Sequence, residues 1–513
     1  MDAYNARHNA VSSTTPDRRT LTVVFLSTLF LIVLIRTAWL GDDAYITLRT
    51  VDNFVSGFGM RWNVAERVQS FTHPLWFFLL SIPYWVTREG YFTVYVVIFV
   101  VSIAAYVTLL RGVASNATTA WLAGSALLFS KSFMDFSTSG LENPLSHLVL
   151  LLFLMAVWRA RDGLGSLNAV WLCAGALMLN RLDLVVLLTP PLLAASWTFG
   201  WRRSVRSAAI GLAPLVAWEL FSVIYFGFPF PNTAYAKLQT GVASSTLLAQ
   251  GLLYVLETFG ADPVTPLTVL TATAMVLRYG PRRDWTVLLG CLMYIGYIVR
   301  VGGDFMIGRF LTVPLVAAVA VWAHIPWRLR ATDVAGALAG IALLGLFATT
   351  RPPITSGANT FILNAAEGMS SSGIADERAF YYRVTGLLRW SRERPLPWNT
   401  QVAQGQALRQ SPRIVSDVNV GFLGYFAGPA VTIVDEHGLC DPLLARLPAE
   451  ANWRIGHFHR TPPPGYIESL ENNRNMIADP SVRHLFEQVR RVTRDPIWST
   501  RRWHAILELN TQS

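Results

Sequence analysis

The feature that most limits this chain is a succession of apolar segments, separated by short arginine-bearing loops, that runs from residue 21 to residue 349 and then stops. A helix crossing a bilayer needs roughly 20 mostly apolar residues, because the hydrocarbon offers no water to satisfy a free backbone amide. Segments 21–40, 91–110, 118–134, 145–158, 168–180, 184–200, 207–226, 264–278, 285–300, 309–325 and 333–349 read as spans, with 168–200 divided at Asn180-Arg181-Leu182-Asp183. Charged residues make up 14% of the chain and hydrophobic ones 52%. A soluble domain carries about 25% charged residues, so an ordinary soluble enzyme is excluded, as are disordered and collagen-like chains. Cys173, Cys291 and Cys440 are too few and too scattered for a disulfide or zinc framework, and the first two read as packing residues.

Orientation follows from where the arginines fall. Residues 1–20, with Arg7, Arg18 and Arg19, read as a cytoplasmic tail. Run 21–40 is too long for a signal-peptide core and has no small-residue cleavage site, so it reads as an uncleaved anchor. Segment 74–87 is aromatic and only about fourteen residues long, the length of an interfacial or re-entrant helix. If it does not cross, Arg111, Arg159, Arg161, the 202–206 and 278–283 clusters, Arg328 and Arg330 all share the side of the tail, as the positive-inside rule requires. The formal charge of +10 then belongs to cytoplasmic loops, not to nucleic-acid binding. The expectation is a polytopic α-helical membrane protein of about eleven transmembrane helices, amino terminus inside, in a plasma (inner) membrane.

This topology sends loops 41–90, 131–144, 181–183, 227–247 and 301–308 outward, and with them Asp42, Asp43, His73, Asp135, Glu142, Arg181, Asp183, Lys237 and Asp304. Chemistry is therefore expected on the outer face. Residues 350–513 differ in composition: Arg351-Pro352-Pro353 ends the last apolar helix, 413–416 and 431–434 read as strands, and 418–427, 441–447 and 480–491 read as helices. They are expected to form a small α/β extracytoplasmic cap, after a transmembrane domain at 21–349. No internal repeat is evident.

Within the outer loops, Gly41-Asp42-Asp43-Ala44-Tyr45 stands where the first helix leaves the membrane. Adjacent carboxylates repel and need a metal, a cationic partner or a shared proton; the plainer reading makes Asp42 a helix N-cap. Glu142 opens a span and is either a second acid of the site or a helix-end charge. Arg181 and Asp183 form either a self-neutralising pair or a phosphate site. Lys237, one of two lysines, follows Phe228-Pro229-Phe230-Pro231-Asn232-Thr233 and suits a lipid-linked phosphate, snorkelling being the alternative. Asp304 and Arg309 flank a glycine-rich turn and offer either an acceptor and an anion clamp or an internal ion pair. His73 precedes Pro74 and could orient a ligand. Tyr45, Trp62 and Trp76 suit either sugar stacking or interfacial anchoring. The histidines at 437, 457 and 459 match no compact zinc spacing.

Together, the outward Asp-Asp, the His73-Pro74-Leu75-Trp76 segment and the second acidic loop resemble the GT-C superfamily of polyprenyl-phosphate-sugar glycosyltransferases. Gly41-Asp42-Asp43-Ala44-Tyr45-Ile46-Thr47, Trp62-Asn63…Glu66-Arg67-Val68, Pro231-Asn232-Thr233…Lys237, Gly302-Gly303-Asp304-Phe305-Met306…Gly308-Arg309-Phe310 and Asp435-Glu436-His437-Gly438-Leu439…Asp441 are similar to the mycobacterial-type terminal β-(1→2)-arabinofuranosyltransferases. The resemblance implies a decaprenyl-phosphoryl-arabinofuranose donor, an acceptor at the end of an arabinan chain of arabinogalactan or lipoarabinomannan, and a catalytic carboxylate that is Asp42 or Asp43. His73, Arg181, Asp183, Lys237, Asp304 and Arg309 become candidate substrate-binding residues. A divalent cation is left open. A β-configured donor giving a β-linked product demands net retention, hence a nucleophilic carboxylate, for which the second aspartate or Glu142 could serve, or a front-face route. The competing readings are a GT-C transferase of another polyprenyl-phosphate sugar to a polysaccharide, lipid or protein, a lipid-carrier transporter, and a non-enzymatic scaffold.

Overall fold

The computed structural model describes residues 17–238, 240–356 and 368–511, so most of the amino-terminal tail lies outside the described residues. Helices α1 (Arg18–Thr37), α2 (Asp42–Val55), α3 (Pro74–Thr87), α4 (Tyr91–Val107), α5 (Ala117–Phe129), α6 (Lys131–Asp135), α7 (Asn143–Arg161), α8 (Leu167–Asn180) and α9 (Val185–Phe199) come first. They are followed by α10 (Trp201–Gly211), α11 (Ala213–Tyr225), α12 (Asn232–Leu238), α13 (Ser244–Ala261), α14 (Val264–Tyr279), α15 (Trp285–Arg300), α16 (Thr312–His324) and α17 (Ala331–Leu343). Beyond them lie α18 (Glu377–Thr385), α19 (Thr400–Gln410), β1 (Ile414–Asp417), α20 (Val420–Ala427), β2 (Thr432–Asp435), α21 (Tyr466–Glu471), α22 (Pro480–Arg494) and α23 (Thr500–Thr511).

Among the described residues, five stretches are long and apolar enough to cross a membrane: Arg18–Thr37, Tyr91–Val113, Asn143–Arg161, Leu182–Phe199 and Ala331–Ala348. A sixth appears if α10 and α11, bent by 52° at their junction, count as one. The outer faces of such helices stay apolar, as lipid requires: Phe347 is 80% and Val96 61% exposed. The interior is one large core in which α7 packs on α8, α9 on α15 and α14 on α16.

Two loop sets occupy opposite ends of this bundle. At one end Arg19 donates to the Arg111 carbonyl at 3.0 Å, Arg161 meets Asp284 at 3.6 Å, Arg283 meets Asp162 at 3.4 Å, and Trp158 stacks on His324. The acidic loops gather at the other end. α3 is fourteen residues long with Pro83 inside it, as short as its sequence suggests.

The helices depart from the sequence reading in several places. Segment 441–447, expected as a helix, forms only a 3-10 turn at Leu444–Arg446, because Asp441 caps that turn through the Leu443 and Leu444 amides. Segment 118–134 breaks at Ser130, whose extended backbone ends α5 and whose hydroxyl accepts from the Phe133 amide to start α6. The run 207–226 crosses the bend of the α10–α11 pair, because residues 207–211 continue α10, the helix that carries the arginines of 202–206, and the rest falls in α11. Finally, α13 was not foreseen. Gln250, Gly251 and Glu257 interrupt its apolar run, yet Gly251 lets its backbone close on Val299 of α15.

Beyond residue 368, β1 and β2 pair in parallel, Ile414 opposite Thr432 through Asp417 opposite Asp435, with α20 as the crossover. α20 lies against α2 and α19, which brings this segment onto the acidic end of the bundle. A buried charge network fastens it further. Lys131 on α6 meets both Asp135 and Asp376, the latter at 3.2 Å, and Arg378 on α18 meets Asp135 at 2.6 Å. Asp135 is thus a structural acid. Removing one member of a buried ion network strands the others, at a cost of about 3–5 kcal/mol. Lys131→Met is expected to lower the thermal midpoint of the detergent-purified protein steeply; a midpoint within a degree of wild type would show that the network carries no load.

Candidate active site

The chain entering α2 is held in place before any acid appears. The Leu40 amide donates to the Thr385 hydroxyl and the Gly41 amide to the Ser139 carbonyl. Gly140, at φ +88°, packs so close to α2 that a Cβ there would stand 2.5 Å from the Ala44 Cβ. This fixes the start of α2, with both aspartates in its first turn.

The two aspartates then part company. Asp42 accepts from the amides of Gly421 at 2.9 Å and Phe422 at 2.8 Å, the first turn of α20. It does cap a helix, but one 379 residues away in sequence. Gly421 is required for the approach, since a Cβ there would fall 1.9 Å from the Asp42 carbonyl oxygen. Burial pushes the Asp42 carboxyl up to about 7, against the pull of those two donors. Asp43 has no hydrogen-bond or ion-pair partner among the described residues and faces a cavity of about 690 Å³. Burial raises its carboxyl too, and the charges of Lys237 and Arg309 oppose that rise.

The cavity has a polar end and an apolar wall. Glu142, buried, meets Arg181 at 3.2 Å and Arg309 at 3.1 Å. Burial alone would raise its carboxyl, but Arg309, His73 and Arg181 together hold it down to about 2. Arg181 is also clasped by Asp183 through two hydrogen bonds of 3.1 and 2.6 Å, and the Tyr294 hydroxyl donates to Asp183 at 2.7 Å. Arg309 closes on Asp304 at 3.5 Å. Lys237, at the end of α12, makes no ion pair among the described residues; its ammonium lies 5.8 Å from the Phe305 ring. His73 is neutral near pH 7, burial lowering it to about 4, and its Nε2 meets the Thr47 hydroxyl at 2.9 Å. Below this polar end, Leu182, Val186, Leu215 and Trp218 line the apolar wall.

Seven of the nine predicted site residues therefore share one space with Asp43, namely His73, Glu142, Arg181, Asp183, Lys237, Asp304 and Arg309, and Asp42 stands behind it. Glu142 is not a free second acid, because two guanidiniums occupy it. Both alternatives held open for Arg181 with Asp183 and for Asp304 with Arg309 meet here, since each pair is formed and each lines the cavity. The three aromatics are not sugar platforms. Tyr45 packs 4.4 Å from Phe422, Trp62 lies under Arg49, and Trp76 donates to the Gly140 carbonyl, all fully buried.

Several other motif residues stitch the two halves together. Asn63 donates to and accepts from Ile433 of β2, and Asn232 donates to the carbonyls of Gly438 and Asp441. Asp435 and Asp441 cap their own turns. No group of three or more His, Cys, Asp or Glu side chains able to hold a metal is present among the described residues. Glu377 and Arg454, whose charges act on Asp43 from the carboxyl-terminal segment, were missed because nothing in their sequence neighbourhood marks them.

The backbone fold matches ArnT from Cupriavidus metallidurans. Its structure bound to undecaprenyl phosphate aligns with a TM-score of 0.52 at 14% identity, over 82% of this chain and 86% of that one. Its apo structure aligns with a TM-score of 0.50 at 16% identity over the same shares. The fold is thus ArnT-like, of the GT-C type, and with the curated relatives below it defines the class: the chain is a glycosyltransferase. Within that class the resemblance drawn from the motifs holds. The chain is 28% identical to the terminal β-(1→2)-arabinofuranosyltransferase of Mycobacterium tuberculosis, over 82% of this chain and 80% of that protein. It is 25% identical to the protein of that name from Corynebacterium glutamicum, over 88% and 80%. No family model matches the chain.

The split between the aspartates is open to a direct test. Asp42→Ala strands two buried amides, a loss of about 1–3 kcal/mol, and should lower the thermal midpoint. Asp43→Ala removes a desolvated, unpartnered carboxyl and should leave the midpoint unchanged or raise it. The reverse order would contradict the assignment.

Proposed function

We propose that the chain transfers arabinofuranose from decaprenyl-phosphoryl-arabinofuranose to the terminus of cell-envelope arabinan, in arabinogalactan or lipoarabinomannan, with Asp43 as the catalytic carboxylate. The observation that carries the reading is the pairing pattern of the cavity. Glu142, Asp183, Asp304, Arg181 and Arg309, which line it together, are matched to one another, and Asp43 and Lys237 have no such partner among the described residues. An unpaired ammonium holds a phosphate; an unpaired carboxylate beside it takes a proton. The apolar wall suits the polyprenyl chain, and the relatives' names supply the sugar.

In the transfer, the acceptor hydroxyl oxygen bonds to the anomeric carbon, the bond from that carbon to the phosphate oxygen breaks, and Asp43 takes the hydroxyl proton. Lys237 stabilises the charge that grows on the leaving phosphate. Base and phosphate cation line the same cavity, and the charge of Lys237 opposes the rise of the Asp43 carboxyl. That shared space, with Glu142, Asp183 and Asp304 already held by arginines, favours front-face departure and attack over a covalent intermediate. The acidic end of the bundle would then face outward, the arginine-bearing end the cytoplasm, with about eleven crossings and residues 350–513 as the outer cap.

In purified protein given a synthetic arabinan oligosaccharide and polyprenyl-phosphoryl-arabinofuranose, Asp43→Asn should lower the transfer rate by about 10²–10⁴-fold. Lys237→Met should also lower it and weaken donor binding, whereas Asp42→Asn should keep activity in whatever fraction remains folded. A base must be deprotonated to act. Because burial raises Asp43, the wild-type rate should rise with pH along a limb lying above the ordinary aspartate value near 4. Full activity in Asp43→Asn would refute the carboxylate, and an inert wild type the donor.

A further inference from the structure

The proposed donor fills the cavity from the apolar side, so the acceptor must reach Asp43 from the carboxyl-terminal segment. On that reading, we infer that Glu377, together with Arg454, holds the acceptor sugar over Asp43. Glu377 is the first residue of α18, and its neighbours in sequence are both committed elsewhere. Asp376 caps the helix through the Ala379 amide and takes Lys131 and Arg351 at 3.2 Å each; Arg378 is bound to Asp135 and to the Ser356 hydroxyl. These anchors fix how α18 is rotated. They leave the Glu377 side chain out of those anchors, and the charges of Asp43, Arg454, Asp304 and Asp42 bear on it most strongly.

The strand-like segment just before it is tied to the loop of the candidate site. The Ala375 amide donates to the Phe305 carbonyl at 2.7 Å, and the Ile307 amide to the Ala375 carbonyl at 3.0 Å. Phe305 is a shared floor: Lys237 stands 5.8 Å from its ring, Arg454 5.5 Å, and His457 4.3 Å. Neither Glu377 nor Arg454 lines the cavity itself, whereas Asp43 does.

Glu377 is half-buried and has no hydrogen-bond or ion-pair partner among the described residues, and the Arg454 Nε is buried without one. The guanidinium needs a ligand to satisfy it, and the Glu377 carboxyl is open to the same one. Burial, then the charge of Asp43, raise the Glu377 carboxyl to about 8, so near neutral pH it offers both an O–H donor and a carbonyl acceptor. That combination fits a sugar hydroxyl, which itself donates and accepts. Arg454 adds donors for a ring or glycosidic oxygen. Glu377 is a positioning group here; it takes no part in breaking the donor bond.

The test separates the two substrates. With a synthetic arabinan oligosaccharide as acceptor and polyprenyl-phosphoryl-arabinofuranose as donor, Glu377→Ala should raise the acceptor KM by at least about tenfold, with the donor KM within about twofold of wild type. Glu377→Gln, which keeps a neutral donor and acceptor, should restore most of the acceptor affinity. An active wild type whose acceptor KM is unmoved by Glu377→Ala overturns the inference alone. So does a Glu377→Gln as damaged as Glu377→Ala in both KM values, which would mark a structural role. A wild type inert toward these substrates overturns the proposed function and this inference together.

Discussion

A guanidinium buried beside a bilayer is tolerable only with a counter-charge, and Glu142 supplies it to two at once. Arg181, Arg309 and Glu142 come from three different helix junctions, so the ion cluster fixes where α7, α8 and α16 begin or end relative to one another. Asp183 on Arg181 and Asp304 on Arg309 add a carboxylate each, so both guanidiniums are doubly countered. Asp43 and Lys237, facing the same space, are left out of these pairings. The chemical character of the cavity follows from this subtraction, since an acid already holding two arginines is neither a base nor a nucleophile.

The same logic governs how the carboxyl-terminal segment meets the bundle. Beside the apolar packing of α20 on α2, buried polar groups find partners across the junction: Asp42 with the first turn of α20, Asn63 with β2, Asn232 with the turn at 438–441, and Lys131 and Asp135 with α18. A hydrophobic interface alone would permit sliding. Directional hydrogen bonds do not, and residues such as Glu377 and Arg454 therefore reach the site with a defined aim.

Much of this was legible in the chain. Apolar run length and arginine placement separated the two ends of the bundle, and turn chemistry located both strands of the last segment. The motif residues gathered at the acidic end, but the sequence could not sort those that bind from those that fasten. Asp42 and Asp43 are chemically identical and adjacent, and only the 379-residue contact to Gly421 tells them apart. Trp62, Trp76 and Tyr45 look like sugar platforms because aromatic rings serve both ends, and burial decides between them. Helix α13 escaped notice because a helix lying along the bundle needs no unbroken apolar run. Glu377 escaped because its importance comes from the anchoring of Asp376 and Arg378, neither of which has a local signature.

The most direct test of the account is a structure of the protein with a bound polyprenyl phosphate. The phosphate is predicted within hydrogen-bond distance of the Lys237 ammonium and beside Asp43, with the isoprenoid chain running against Leu182, Val186 and Leu215. A phosphate seated elsewhere, leaving Lys237 unengaged and Asp43 remote from the leaving oxygen, would contradict it.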